Sequence, residues 1–131
     1  MIVLDACVLI SHFGPGDAHQ TKAANIIDSE DQLLIHPLTI SECGVMPART
    51  GQLDEYRSDI DRLGLDVWRP DDDHWYRVAA LRAATSLALP DCCVLDTART
   101  LVGSLATFDD KLTKVAKSMG IPVDDGHAPR E

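Results

Sequence analysis

The sequence predicts a single α/β domain: a central, mainly parallel sheet of four to five short strands flanked by helices. Three observations point there. A chain of 131 residues with 45% hydrophobic side chains has enough material for one core and too little for two. Its apolar runs are short and continuous, as strands buried on both faces require. Stretches of helical period separate those runs, and strands alternating with helices build parallel sheets.

Taken in order, Ile2-Val3-Leu4 is the first strand candidate and Leu33-Leu34-Ile35 the second, ended by Pro37. Asp66-Val67-Trp68 is a weaker third, Ser104-Leu105-Ala106-Thr107 a fourth, and Pro122-Val123 a fifth. Asp17 followed by Gln20 resembles a capping box opening a helix through Ser29. A helix over Ile40 to Val45 carries Glu42, with Pro47 disturbing its end. Further helices are expected over Leu53–Leu63, Asp72–Thr85 and Cys92–Val102. In the last helix Leu112, Val115, Ala116 and Met119 form one apolar stripe, and Gly120 stands where a C-cap belongs. The domain is expected over 1–123, with the polar stretch 124–131 as a mobile tail.

No run of about 18 apolar residues occurs, so no membrane span is expected, and the N-terminus MIVLDACVLI lacks the pattern of a secretory leader. A cytoplasmic protein is the expectation. Cys7, Cys43, Cys92 and Cys93 form no CxxC pair and read as reduced thiols packed like small apolar groups. The five histidines show neither metal nor triad spacing, and no GxSxG, P-loop or GxGxxG is present.

Chemistry gathers on four acids. Asp5 follows the first strand directly and Asp109 follows the fourth, and in a parallel sheet ligands bind beyond the carboxyl ends of the strands. For either residue alone, helix capping is an adequate explanation. Two acids at two strand ends of one sheet favour a shared site. Glu42 has apolar neighbours in Ile40, Cys43 and Val45, so it lies near a buried face where a carboxylate needs a partner or a metal. Asp91 precedes Cys92-Cys93-Val94-Leu95, at the rim of a packed interior. Four carboxylates brought together repel unless a cation neutralises them, and oxygen-only ligation suits Mg²⁺ or Mn²⁺. The expected reaction is phosphodiester hydrolysis by a metal-activated water.

The segments MIVLDACVLI, PLTISE, LALPDCCVLDTA and LATFDDKL resemble, in that order, the acidic motifs of PIN-domain ribonucleases, and most closely those of VapC-type toxins of toxin–antitoxin pairs. The resemblance spans nearly the whole chain. It implies a PIN-like three-layer fold and a Mg²⁺- or Mn²⁺-dependent endoribonuclease, often directed at tRNA or rRNA. Carried over residue by residue, it makes Asp5, Glu42, Asp91 and Asp109 the catalytic and metal-holding acids, with Thr107 as a supporting hydroxyl. It also implies a homodimer and a cognate antitoxin whose C-terminal segment covers the active site with basic side chains.

Three points qualify this assignment. Asp96 lies five residues beyond Asp91, about 140° round a regular helix, and an ion pair with Arg99 is its expected role. Asp110 adjoins Asp109 and offers the same chemistry, but Asp109 stands second after Thr107, as the motif requires. The net charge of −9, from 21 acidic and 12 basic residues, is opposite to the usual footprint of a nucleic-acid binder and suits a basic protein partner. Arg99, Lys111 and Lys114 are the candidate RNA-phosphate contacts, whereas Lys117 is expected on a solvated face. The competing readings are a catalytically silent PIN-like binding module, a Mg²⁺-dependent phosphatase, and a receiver-like domain. The last two expect a second acid near Asp5, where position 7 is Cys.

Overall fold

The computed structural model describes residues 1–29 and 31–127. Five parallel strands, β1 (Ile2–Leu4), β2 (Leu33–Ile35), β3 (Asp66–Val67), β4 (Ser104–Ala106) and β5 (Val123–Asp124), form one sheet in the order β3-β2-β1-β4-β5. Among the described residues seven helices connect them: α1 (Ala6–Phe13), α2 (Gln20–Ile27), α3 (Pro37–Arg49), α4 (Leu53–Arg62), α5 (His74–Thr85), α6 (Leu89–Leu101) and α7 (Asp110–Ser118).

Side chains alternate across the pleat, so each short strand feeds two cores. Ile2, Leu4, Leu33, Ile35 and Ala106 point to one face and pack with Val8, Leu9, Ala23, Ile26, Cys43 and Tyr56 of α1–α4. Val3, Leu34 and Leu105 point to the other and meet Val78, Leu81, Leu95, Ala98, Leu112 and Ala116 of α5–α7. This is the expected three-layer α/β arrangement. All four cysteines are free. Among the described residues no single helix is long and apolar enough to cross a membrane.

Several boundaries differ from expectation, each for a physical reason. Helix α1 starts immediately after Asp5, in a stretch whose periodicity predicts no helix. Its sequence ACVLISHF is apolar on most sides and shows little amphipathic contrast. Pro47 lies inside α3 without ending it, since the helix continues to Arg49. Asp17 accepts a bond from the His19 N–H at 2.8 Å but does so in a turn, because α2 begins at Gln20. Helix α6 begins at Leu89, with Pro90 in the first turn, where its fixed φ and missing N–H cost nothing. Asp91 is therefore inside the first turn and caps nothing. At the C-terminus, Asp124 is the second residue of β5 and Asn25 Nδ2 donates to the Gly126 carbonyl at 2.9 Å. The rest of the expected tail, 128–131, lies outside the described residues.

Candidate active site

Asp5 and Asp109 follow the carboxyl ends of β1 and β4, and Glu42 and Asp91 both lie near enough to feel the charge of Asp5. Asp5 leaves the central strand β1 next to β4, tied there by its own N–H to the Ala106 carbonyl at 3.0 Å. It is only 8% exposed. Its Oδ1 accepts from the Ala6 N–H at 2.9 Å, capping α1, and its Oδ2 accepts from the Thr107 hydroxyl at 2.8 Å and the Cys7 thiol at 3.1 Å. Thr107 in turn accepts the Asp109 N–H at 3.1 Å, so one buried hydroxyl sets the spacing between the first and fourth acids. Asp109 caps α7 through Oδ1, which accepts the Leu112 N–H at 2.8 Å. The capping role expected for an isolated Asp is real, and it coexists with a place in the cluster.

Electrostatics shows which acids feel one another. Asp91 is pushed up to about 6, first by burial, then by the negative charges of Asp5 and Asp109, with Lys111 pulling the other way. Glu42, on α3, is also raised, by burial and then by Asp5 and Asp91. Asp110 is the first residue of α7. It lines a separate hollow with Thr113 and Lys117. Cys7 is held as a neutral thiol, pushed up to about 12 by burial and by Asp5. Sequence reasoning gives every cysteine a packing role and misses the bond from Cys7 to Asp5, at which only their two-residue spacing hints. The donor set is all oxygen and carries uncompensated negative charge, which fits a hard divalent cation such as Mg²⁺ or Mn²⁺.

Asp96 is elsewhere. Because Asp91 belongs to the helix proper, Asp96 faces away from it into the interior and is fully buried. The expected bond from Arg99 exists at 3.2 Å. Two further partners carry no signal in the sequence: His74 Nδ1 at 2.6 Å and Arg77 Nε at 3.0 Å. His74 continues the chain to His36, with the two Nε2 atoms 3.0 Å apart, and His36 Nδ1 accepts the Leu38 N–H at 3.0 Å. These bonds fix both tautomers. His36 has its lone pair on Nδ1, so its Nε2–H donates to His74 Nε2, whose Nδ1–H donates to Asp96. His36, His74 and Cys93 place potential ligand atoms within 4.8 Å of one another. A metal there would need the His36 Nε2 lone pair, which would turn a ring N–H against the Leu38 N–H. The relay is a closed hydrogen-bond network instead.

Of the expected phosphate contacts, Lys111 lies close enough to stabilise ionised Asp91, and its Nζ donates to the Ser86 carbonyl at 3.5 Å. Arg99 is engaged with Asp96, and Lys114 is an exposed residue of α7. Two hollows flank the cluster. One, of about 330 Å³, runs between α1, α3 and α4 past Ile10, Phe13, Met46 and Tyr56 to Glu42. The other, of about 310 Å³, lies between α2 and α7 and reaches Thr107.

The family model of the PIN domain matches residues 2–118. The chain belongs to the PIN-domain family. A search of curated proteins finds no match. Among solved structures, this PIN domain is similar to a toxin–antitoxin complex from Klebsiella pneumoniae, with TM-score 0.76 and 24% identity over 98% of this chain and 100% of the other. It is also similar to the sarcin-ricin loop cleaving toxin VapC20 of Mycobacterium tuberculosis, with TM-score 0.75 and 12% identity over 88% of this chain and 95% of that one. FitAcB from Neisseria gonorrhoeae superposes with TM-score 0.72 and 17% identity over 96% and 98% of the two chains. At these identities the likeness is one of fold.

Proposed function

We propose that this PIN domain is a Mg²⁺- or Mn²⁺-dependent endoribonuclease and the toxin of a toxin–antitoxin pair. The observation that carries the reading is a set of carboxylates brought together from separate elements at a partly buried place, where burial first and their mutual repulsion second push Asp91 up to about 6 and raise Glu42 with it. A fold that maintains such a cluster loses stability unless a cation occupies it.

Asp5, Glu42, Asp91 and Asp109 would hold the ion. When bound, it supplies charge for a phosphoryl oxygen and lowers the pKa of a coordinated water. The chain's own residues do the rest. Thr107 and Cys7 donate to Asp5 Oδ2 and fix the direction of that carboxylate. Lys111, beside Asp91, is placed to contact a substrate phosphate, with Lys114 further along α7. Purified protein is expected to cleave RNA with Mg²⁺ or Mn²⁺ and to stop in EDTA. Asp5→Asn should lose at least about 100-fold in cleavage rate with unchanged circular dichroism. Cleavage by Asp5→Asn at the wild-type rate would refute the site.

The toxin reading is supported by neighbours of the same fold described as a toxin–antitoxin complex and as a sarcin-ricin loop cleaving toxin. It is supported also by the hollow beside Glu42, where Ile10, Phe13, Met46 and Tyr56 are accompanied by Glu55 and Asp59. An antitoxin segment with an apolar face and basic side chains matches that lining, and the net charge of −9 favours a basic partner. Induced expression in a bacterium should arrest growth, and Asp5→Asn should restore it. Normal growth at high wild-type expression would sink the toxin reading and leave the nuclease reading intact. A homodimer is in keeping with the exposed Trp75 and Tyr76 on α5, and light scattering would measure it.

A further inference from the structure

Building on the ribonuclease reading, we propose that the hollow between α2 and α7 is a nucleotide subsite. It takes one unpaired nucleotide of the RNA strand beside the scissile bond, with the base on the His19–Phe108 pair and a phosphate between Lys22 and Lys117. The lining is His19 and Lys22 from α2 and its cap, Thr107 and Phe108 from the end of β4, and Asp110, Thr113 and Lys117 from α7. The three α7 residues recur at i, i+3 and i+7, so they form one face of the helix. Lys117, expected on a solvated face, belongs to this wall.

Four features favour a nucleotide. His19 and Phe108 are stacked, with centroids 4.8 Å apart and planes 17° from parallel, and His19 is exposed, leaving a flat face for a base. Thr107 touches both this hollow and Asp5, so a nucleotide held here is adjacent to the reacting centre. Of the two hollows flanking the cluster, this one alone has cationic side chains among the described residues of its lining. The wall is also built tightly. Gly126, at φ +76°, packs so closely on α2 that a Cβ there would lie 2.3 Å from the Lys22 carbonyl oxygen.

Asp110 and Asp125 line the hollow too, so its charge is balanced and it is unsuited to a duplex backbone. Asp125 is engaged by His127 at 2.7 Å and lies within the field of Lys22. Asp110 remains as an acceptor for a ribose 2′-hydroxyl or an exocyclic amino group. Stacking, two cations and one acceptor describe the recognition of a splayed single-stranded nucleotide.

The test is fluorescence anisotropy of a labelled single-stranded RNA of about eight nucleotides on Asp5→Asn protein, at several salt concentrations. In that background Lys22→Ala/Lys117→Ala should weaken binding by roughly tenfold or more, and should make the salt dependence shallower by about 0.7 for each phosphate the variant no longer neutralises. His19→Ala should weaken binding by roughly fivefold to tenfold without changing that slope. Arg57→Ala/Arg82→Ala, an equal loss of charge at exposed positions on α4 and α5, should do neither. In the active protein the lysine pair should raise KM with kcat within about twofold, the signature of lost ground-state binding. Equal binding by the lysine and arginine pairs overturns the proposal, as does a greater loss on duplex than on single-stranded RNA. If the wild type cleaves no RNA, the nuclease reading fails separately, and the anisotropy series still decides the subsite.

Discussion

Asp91 shows how much a single residue's neighbours decide. Its carboxyl is raised to about 6, so the folded chain binds a proton more readily than the unfolded chain, whose carboxyl titrates near 3.8. Ionisation therefore destabilises the metal-free fold as pH rises from about 4 through 6, and the penalty is complete above that. Asp91→Asn should abolish cleavage yet stabilise metal-free protein at pH 8 by roughly 1–2 kcal/mol after allowing for solvent screening, and by nothing near pH 3. Urea unfolding in EDTA would check it, and a destabilised variant at pH 8 would contradict the repulsion. Mn²⁺ should raise the Tm of wild type more than that of the variant. At this scale the four acids are legible in the sequence because each stands at a strand end or in a helix entry with a motif around it. The relay is not, because His36 and His74 are 38 residues apart and His74 and Asp96 are 22 apart. Such separations follow no local period, and only the fold brings them together.

At the scale of elements, β1 and β2 are readable from three apolar residues each, and α7 from its stripe. Helix α1 is hidden because its sequence is apolar on most sides, and the residue that caps it, Asp5, is also an acid of the candidate site. Helix α6 extends three residues further back than its periodicity predicts, and the consequence is functional. It presents Asp91 to the acid cluster and Asp96 to the relay from two faces of one cylinder. Its C-terminus is less well suited. Val102, 92% exposed, holds the left-handed conformation at φ 54°, which a β-branched residue adopts only with strain. Val102→Gly should stabilise the protein by about 1 kcal/mol, the relief at the C-cap exceeding the entropy glycine adds to the unfolded chain. Thermal unfolding measures this, and a lower Tm would show that the strain is balanced elsewhere.

For the molecule as a whole, the relay joins parts of the fold on which the site depends. His36 caps the helix that carries Glu42, and Asp96 lies on the helix that carries Asp91. Burial and the neighbouring His74 hold His36 down at about 4. The folded state therefore refuses a proton that the unfolded chain accepts below about 6.5, and stability falls as pH drops from there towards 4. Asp96, lowered by its bonds from Arg77, His74 and Arg99 despite its burial, loses those interactions at still lower pH, in the same direction. The chain should lose up to about 3 kcal/mol through His36 between pH 7 and pH 4, and His36→Gln should flatten that slope. An unchanged slope in the variant would assign the acid sensitivity to other groups. The layered build has one more consequence. The acids come from the central strand, from a helix on one face and from helices on the other, and the last of them waits for β4 to pair and α7 to dock. A chain emerging during synthesis holds no assembled cluster until more than a hundred residues are in place, so the activity proposed for it would arrive all at once, only after β4 and α7 have been made.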